Sequence, residues 1–355
     1  MFFSELTNEA RQRLIDVQQR AEALRAIDGD LRRRFAGSMS WKSRDGRDYL
    51  YKRNGHVEKS LGAKSPETEE MYQAFTIGKA AAEHRRQGLR QTLQGMARVN
   101  KAMGLGRVPS LVGRILRRLD EAGVLGEQVC VVGTNALFAY EAKAGVRFQT
   151  DLLATGDIDI ALDARRNLEL AGRAMPNGLL GVLRKIDPSF APQAVGHFTA
   201  VNADGLMVDL ITPEPKQRMK ASLVRRRRLG AQLQDLTAVE DVEAAEVPRL
   251  EMIVDAPRFA AVAVTDDGLP VWISATDPRW WAAHKLWLGN EPKREAIKRQ
   301  RDRSQGQAVA QMLAGPLSEL DLSDTTLASI PMKLRENLRH EVDAATKGAK
   351  PAFEW

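Results

Sequence analysis

Val131-Val132-Gly133-Thr134-Asn135-Ala136-Leu137-Phe138-Ala139-Tyr140-Glu141 and, a little further on, Thr155-Gly156-Asp157-Ile158-Asp159-Ile160-Ala161-Leu162 are the stretches that decide the fold of this chain. The first reads as an apolar strand entering a small-residue turn that opens a helix. The second reads as a strand with aspartates at i and i+2. Side chains alternate faces along a strand, so Asp157 and Asp159 share one face while Ile158 and Ile160 share the other. Two carboxylates on one face of a buried strand repel each other and resist desolvation. A hard cation with oxygen ligands, such as Mg²⁺, relieves both costs. The pattern points to metal-assisted chemistry on phosphates.

A third carboxylate follows. Gly196 to Pro213 is expected to form a hairpin with arms His197–Val201 and Leu206–Ile211 around Asn202-Ala203-Asp204-Gly205. Asp209 lies out of phase with Val208 and Leu210, so it leaves the core-facing row. Placed beside the Asp157/Asp159 strand, it would complete a set of three carboxylates able to hold two Mg²⁺ ions. Gly133 and Thr134 would offer the N–H groups of a helix start and one hydroxyl to phosphate oxygens.

These residues resemble the nucleotidyltransferase superfamily related to DNA polymerase β. The shared pattern is a strand, a Gly-Ser-like turn opening a helix, an Asp-x-Asp strand and a later strand with a third acid. Here it is matched by Gly133-Thr134, Asp157-Ile158-Asp159 and Asp209. Threonine replaces the commoner serine and keeps the hydroxyl. The gap between turn and first aspartate is long and suggests an insertion around Gly145 to Ala154. The likeness covers roughly residues 110 to 215. It is nearest to bacterial proteins described only as having this fold, some of which share a stretch like Ser60-Leu61-Gly62-Ala63-Lys64-Ser65-Pro66-Glu67-Thr68-Glu69.

The resemblance implies an α+β protein with a mixed-sheet nucleotidyltransferase core. It implies catalysis by Asp157, Asp159 and Asp209 as ligands of a two-ion Mg²⁺ site, with an NTP as substrate. Gly133 and Thr134 would bind the NTP tail. A basic residue on a later helix often holds the triphosphate in such enzymes. Lys285 is the candidate, on the helix expected at Pro278–Trp287, with Arg294 or Lys298 assisting. His284 reads as a packing residue.

The flanks are read from the residues themselves. Ser4 to about Phe35 has helical spacing in Leu6, Ala10, Leu14, Val17, Ala21 and Leu24. Asp45-Gly46 turns a hairpin over Ser40 to Arg53, in which Trp41, Tyr49 and Tyr51 alternate with Lys42, Arg44, Arg47, Lys52 and Arg53. Aromatic faces beside cations suit unpaired bases and phosphates; a hairpin packed on the next helix is the equal alternative. Ser65 as N-cap and Pro66 in the first turn start a long helix to about Met103. An amphipathic helix follows from Pro109 through Val112, Ile115, Leu116 and Leu119. Beyond Pro248 come strands at Phe259–Val264 and Pro270–Ile273 and a basic helix from Arg294 to Leu313. Glu336 to Trp355 is expected to be loosely held. The chain is thus expected to comprise an N-terminal helical region with a basic β-hairpin (1–107), the catalytic core (108–248) and a mostly helical C-terminal domain (249–355).

The 355 residues carry 53 Lys+Arg against 46 Asp+Glu, a formal net charge of +7 that permits a polyanionic partner. The single cysteine, Cys130, rules out an intrachain disulfide and reads as a buried hydrophobe. No secretion signal or bilayer-length apolar run is visible, so a cytoplasmic location is expected. RNA, above all a tRNA 3′ end, is the leading acceptor; DNA is a second. Such a reaction would suit a toxin or defence role with an antitoxin partner. Arg225-Arg226-Arg227-Arg228 could touch RNA, or be a solvated run balanced by the acids that follow. Three other readings remain open: transfer to a protein side chain or small-molecule hydroxyl, a non-catalytic nucleic-acid-binding protein on the same fold, and a nuclease using the same acids.

Overall fold

The computed structural model describes residues 2–163, 178–194, 198–213, 245–247 and 250–348. Arg225–Arg228 and most of the acidic stretch after it lie outside them. The strands are β1 (Phe3–Glu5), β2 (Ser38–Arg44), β3 (Arg47–Asn54), β4 (Val57–Ala63), β5 (Val129–Val131), β6 (Val146–Phe148), β7 (Asp157–Leu162), β8 (Ala191–Pro192), β9 (Thr199–Val201), β10 (Met207–Pro213), β11 (Ala245–Val247), β12 (Arg258–Val264) and β13 (Pro270–Thr276). The helices are α1 (Asn8–Arg33), α2 (Pro66–Ala102), α3 (Ser110–Glu121), α4 (Leu137–Ala144), α5 (Thr150–Leu153), α6 (Gly178–Arg184), α7 (Leu250–Asp255), α8 (Pro278–Leu288), α9 (Ala296–Ala314) and α10 (Met332–Gly348).

The architecture is α+β around one mixed sheet with the strand order β12-β13-β5-β7-β10-β9-β8; β11 pairs with the far end of β10. β7 and β10 run parallel, and β5 is antiparallel to β7. Ile158, Ile160, Val208 and Leu210 point into the core, as their alternation requires, and the opposite row of their strands is half-buried. On α3, Val112, Ile115, Leu116 and Leu119 form the buried stripe.

The division expected at residue 248 is not a division of this sheet. β13 pairs with β5 through Ala275 and Val131, and one hydrophobic cluster runs from Val108 to Val342. Helices α8 and α9 close over the same core, packed closely because Gly306 faces Leu286 and Gly289 faces Arg303. A Cβ on Gly306 would lie 2.8 Å from Leu286 Cγ.

The expected long helix is α2. Ser65 and Thr68 cap it reciprocally, and Pro66 sits in its first turn. The expected hairpin is present and gains a third strand, β4, so β2-β3-β4 form a separate small sheet at the start of α2. The far end of α2 reaches the core, where Leu93 and Met96 cluster with Leu6, Ala10, Leu14, Val17 and Val264. The insertion expected around Gly145 to Ala154 becomes β6 and α5. β6 pairs with β1, and Phe3 stacks edge-on against Phe148 with ring centroids 6.0 Å apart.

One expectation is corrected. The chain end is not loose through residue 348: α10 buries Leu334, Leu338 and Val342 on one stripe. Their i, i+4, i+8 spacing is helical but sits among charged residues, so composition alone concealed it.

Candidate active site

The two strands that carry the acids are held in a register that brings the carboxylates together. Parallel pairing sets Asp209 beside Asp159 and Met207 beside Asp157. Carboxylate oxygens of Asp157, Asp159 and Asp209 lie within 4.8 Å of one another, and all three residues are half-buried. Each outer acid is oriented by a threonine. Thr199 Oγ1 donates to Asp209 Oδ1 at 2.7 Å from the antiparallel neighbour β9, and Thr155 Oγ1 donates to Asp157 Oδ1.

Asp159, in the middle, is the strained member. Burial pushes its pKa up from 3.8 to about 6, and the charges of Asp157 and Asp209 push the same way; Lys285 and Arg301 oppose them. Three oxygen donors that repel one another fit a divalent cation. Mg²⁺, with its preference for carboxylate and water oxygens, matches the donor set.

The glycine turn lies against this triad. Gly133 has φ 60° and ψ −153°, a conformation open in practice only to glycine. A Cβ there would fall 1.8 Å from Asp159 Oδ2, so the absent side chain is what lets the turn approach the carboxylate. The turn is pinned from every side. Val132 N–H donates to the Asp159 carbonyl at 3.0 Å, and Asn135 Nδ2 donates to the Asp157 carbonyl at 2.8 Å. Trp281 Nε1 on α8 donates to the Gly133 carbonyl at 3.0 Å. Gln305 Nε2 on α9 donates to Thr134 Oγ1 at 3.2 Å and to the Leu152 carbonyl at 2.8 Å. Thr134 is itself buried and starts the single 3₁₀ turn that leads into α4.

Lys285 is present at the site but engaged. Its Nζ lies 2.7 Å from Asp302 Oδ1, both groups are buried, and Arg294 Nε takes the other oxygen of Asp302. The ammonium also lies 5.3 Å from the Trp281 ring centroid. Burial lowers the Lys285 pKa, while Asp302 and then Asp159 pull it back up. Of its expected helpers, Arg294 is tied to Asp302, and Lys298 pairs with exposed Glu295. His284 packs 5.6 Å from the Trp287 ring.

Five contributors were not foreseen: Thr199, Trp281, Arg301, Asp302 and Gln305. The last two had a signal. Asp302, Gln305, Gly306 and Val309 fall at i, i+3, i+4 and i+7, the buried stripe of α9, where a carboxylate and an amide need partners. Arg301 lies one turn before Gln305. It is half-buried and has no hydrogen bond or ion pair among the described residues, and its charge reaches both Asp159 and Lys285.

A mixed sheet carrying three convergent carboxylates beside a glycine turn at a helix start is an arrangement able to hold a divalent cation. A family model described as Nucleotidyltransferase matches residues 110–330, and the chain belongs to that family. The match runs from α3 through α9 and so takes in the triad, the turn and the α8–α9 pair. Membership brings transfer of nucleotidyl groups as the general activity. No individual curated protein and no solved structure matches the chain. Among the described residues, no helix is long and apolar enough to cross a membrane.

Proposed function

We propose that the protein moves a nucleoside monophosphate from an NTP to a hydroxyl group on RNA, with Mg²⁺ held by Asp157, Asp159 and Asp209. The observation that carries this reading is the parallel register of β7 and β10. It brings Asp209, distant in the chain, to the Asp157/Asp159 pair and makes one oxygen-donor set. The metal, when bound, supplies charge neutralisation at the transferring phosphate.

The chain's own groups do the remaining work. The main-chain N–H groups at the Gly133-Thr134 turn receive the phosphate tail, as helix starts do. Arg301, whose planar fork has no partner among the described residues, is the group suited to grip the triphosphate. Lys285 keeps the role of a fixed positive charge behind Asp159 rather than a mobile phosphate contact, because Asp302 holds it. Asp209, oriented by Thr199, takes the proton of the acceptor hydroxyl on its carboxylate. The acceptor oxygen then bonds to the α-phosphorus as the bond to pyrophosphate breaks. A tRNA 3′ end is the leading acceptor, and a toxin or defence role under an antitoxin fits such a reaction.

The test is incubation with each α-labelled NTP, Mg²⁺ and total RNA, comparing the native chain with Asp209→Asn. We expect a labelled RNA species that the variant does not produce, although it still folds cooperatively. Label on protein or small molecules instead of RNA would move the acceptor. Retained turnover in the variant would refute the role of Asp209, and RNA shortened without label would show a nuclease.

A further inference from the structure

The segment that folds into the small sheet is rich in positive charge. Between residues 38 and 64 there are seven Lys or Arg against three Asp or Glu. The small sheet β2-β3-β4 sorts them onto two faces, and the pairing register says which is which. Trp41 pairs with Leu50 and Met39 with Lys52, and this row turns toward α2. Leu50 is fully buried, the Trp41 ring lies 5.9 Å from Tyr72, and Lys52 lies 5.4 Å from the Phe75 ring. The expectation that Trp41 and Lys52 serve a nucleic acid is therefore corrected: they pack on the helix.

The other row is Lys42 opposite Tyr49, Arg44 opposite Arg47, Ser40 opposite Tyr51 and Ser38 opposite Arg53. No element covers this face among the described residues. Lys42, Arg44, Arg47 and Arg53 are exposed, and Tyr49 and Tyr51 are half-buried. Lys42 and Arg44 lie 5.3 and 5.9 Å from the Tyr51 ring centroid. The one acid on the face, Glu58, is taken by Lys42 at 2.7 Å. Arg44 and Arg47 have no carboxylate partner among the described residues.

We propose that this open face binds single-stranded nucleic acid. Two tyrosines two residues apart on one strand stand about 7 Å from each other, so each ring is a separate platform for a base. The cations around them meet the phosphates. Rings can stack only on bases whose faces are free, so an unpaired strand is favoured over a duplex. The face also sits far from the triad's support. α2 meets the sheet at Phe75 and the core at Met96, about 30 Å further along the helix axis. That separation suits a polymer rather than a small acceptor. The proposal rests on the reading of RNA as the acceptor, but its test measures binding alone.

The test is fluorescence anisotropy of a labelled 12-nucleotide RNA with the full chain, in EDTA and without NTP, so that catalysis plays no part. Tyr49→Ser/Tyr51→Ser and Arg44→Ala/Arg47→Ala are compared with the native chain. We expect each pair to weaken binding at least tenfold. The arginine pair should also flatten the dependence of log K on log salt by about 1.4, the value for two phosphate contacts on a single strand. The same sequence as a duplex should bind more weakly. Native binding that survives both pairs of substitutions, a preference for the duplex, or no binding by the native chain would each overturn the proposal. Should the tyrosine pair unfold the sheet, the solvent-exposed arginine pair decides by itself.

Discussion

Asp302 and Asp159 lie within reach of the same lysine, and the protein treats them in opposite ways. Asp302 is fully buried on α9 and has a cation on each oxygen, Lys285 and Arg294. Asp159 is half-buried, and its nearest charged company is two further carboxylates. A buried acid whose role is structural is neutralised by the chain itself, whereas among the described residues Asp159 keeps a surplus of neighbouring negative charge that a cation would balance. Glu141 follows the first pattern: it is buried on α4, paired with Arg107 at 3.0 Å and bonded by the Phe148 N–H. The difference teaches where to look for a cation: at the acids the fold leaves uncompensated.

The strongest way to break this comparison is to make Asp302 neutral. Asp302→Ala should cost about 3–5 kcal/mol in urea unfolding, because it strands two cations at a buried site. The double variant Lys285→Met/Asp302→Leu should cost less than the single one, since it removes a buried charge along with its partner. Equal loss in both would mean that Lys285 is not the partner that matters.

A second effect follows from the raised pKa of Asp159. The folded state holds the Asp159 proton up to about pH 6, whereas an unfolded aspartate releases it near 3.8. The stability contributed by the protonated form is therefore complete below about pH 3.8 and lost as pH rises through about 6. Asp159→Asn should raise the melting temperature of metal-free protein at pH 8 by a few degrees, and by progressively less toward pH 4. Mg²⁺ should stabilise the native chain at pH 8 and less at pH 5. A metal effect independent of pH would detach the ion from this carboxylate.

The smallest expected effect sharpens the role of Thr199. Thr199→Val removes one hydroxyl that orients Asp209 and keeps the shape of the side chain. Mg²⁺ affinity, followed by titration against transfer rate, should fall about tenfold, the lower end for a group that supports a metal ligand. An unchanged titration would make the hydrogen bond incidental.

Much of this site was legible in the residues. The Asp157/Asp159 alternation and the Gly-Thr turn each rest on a local rule, that of strand period or of helix starts, and local rules survive without tertiary context. Asp209 was legible for the same reason, as an acid out of phase with its apolar neighbours. What stayed hidden was everything that depends on which helix lies across the sheet. Lys285 could be picked out as a basic residue near the site, but not that Asp302, seventeen residues later, would hold it. In the small sheet, Trp41 and Tyr51 look alike in a list of aromatics, and pairing register puts one on the face toward the helix and the other on the opposite face.

The sequence by itself determined the elements that carry the acids and the glycine turn, the faces of those strands and the chemistry available on each, because period, capping and turn geometry act over a few residues. Only the tertiary structure decided which charges are cancelled and which are left over. Compensation is a matter of distances between elements far apart in the chain, set by close packing such as that of Gly306 on Leu286 and by the register of β7 against β10.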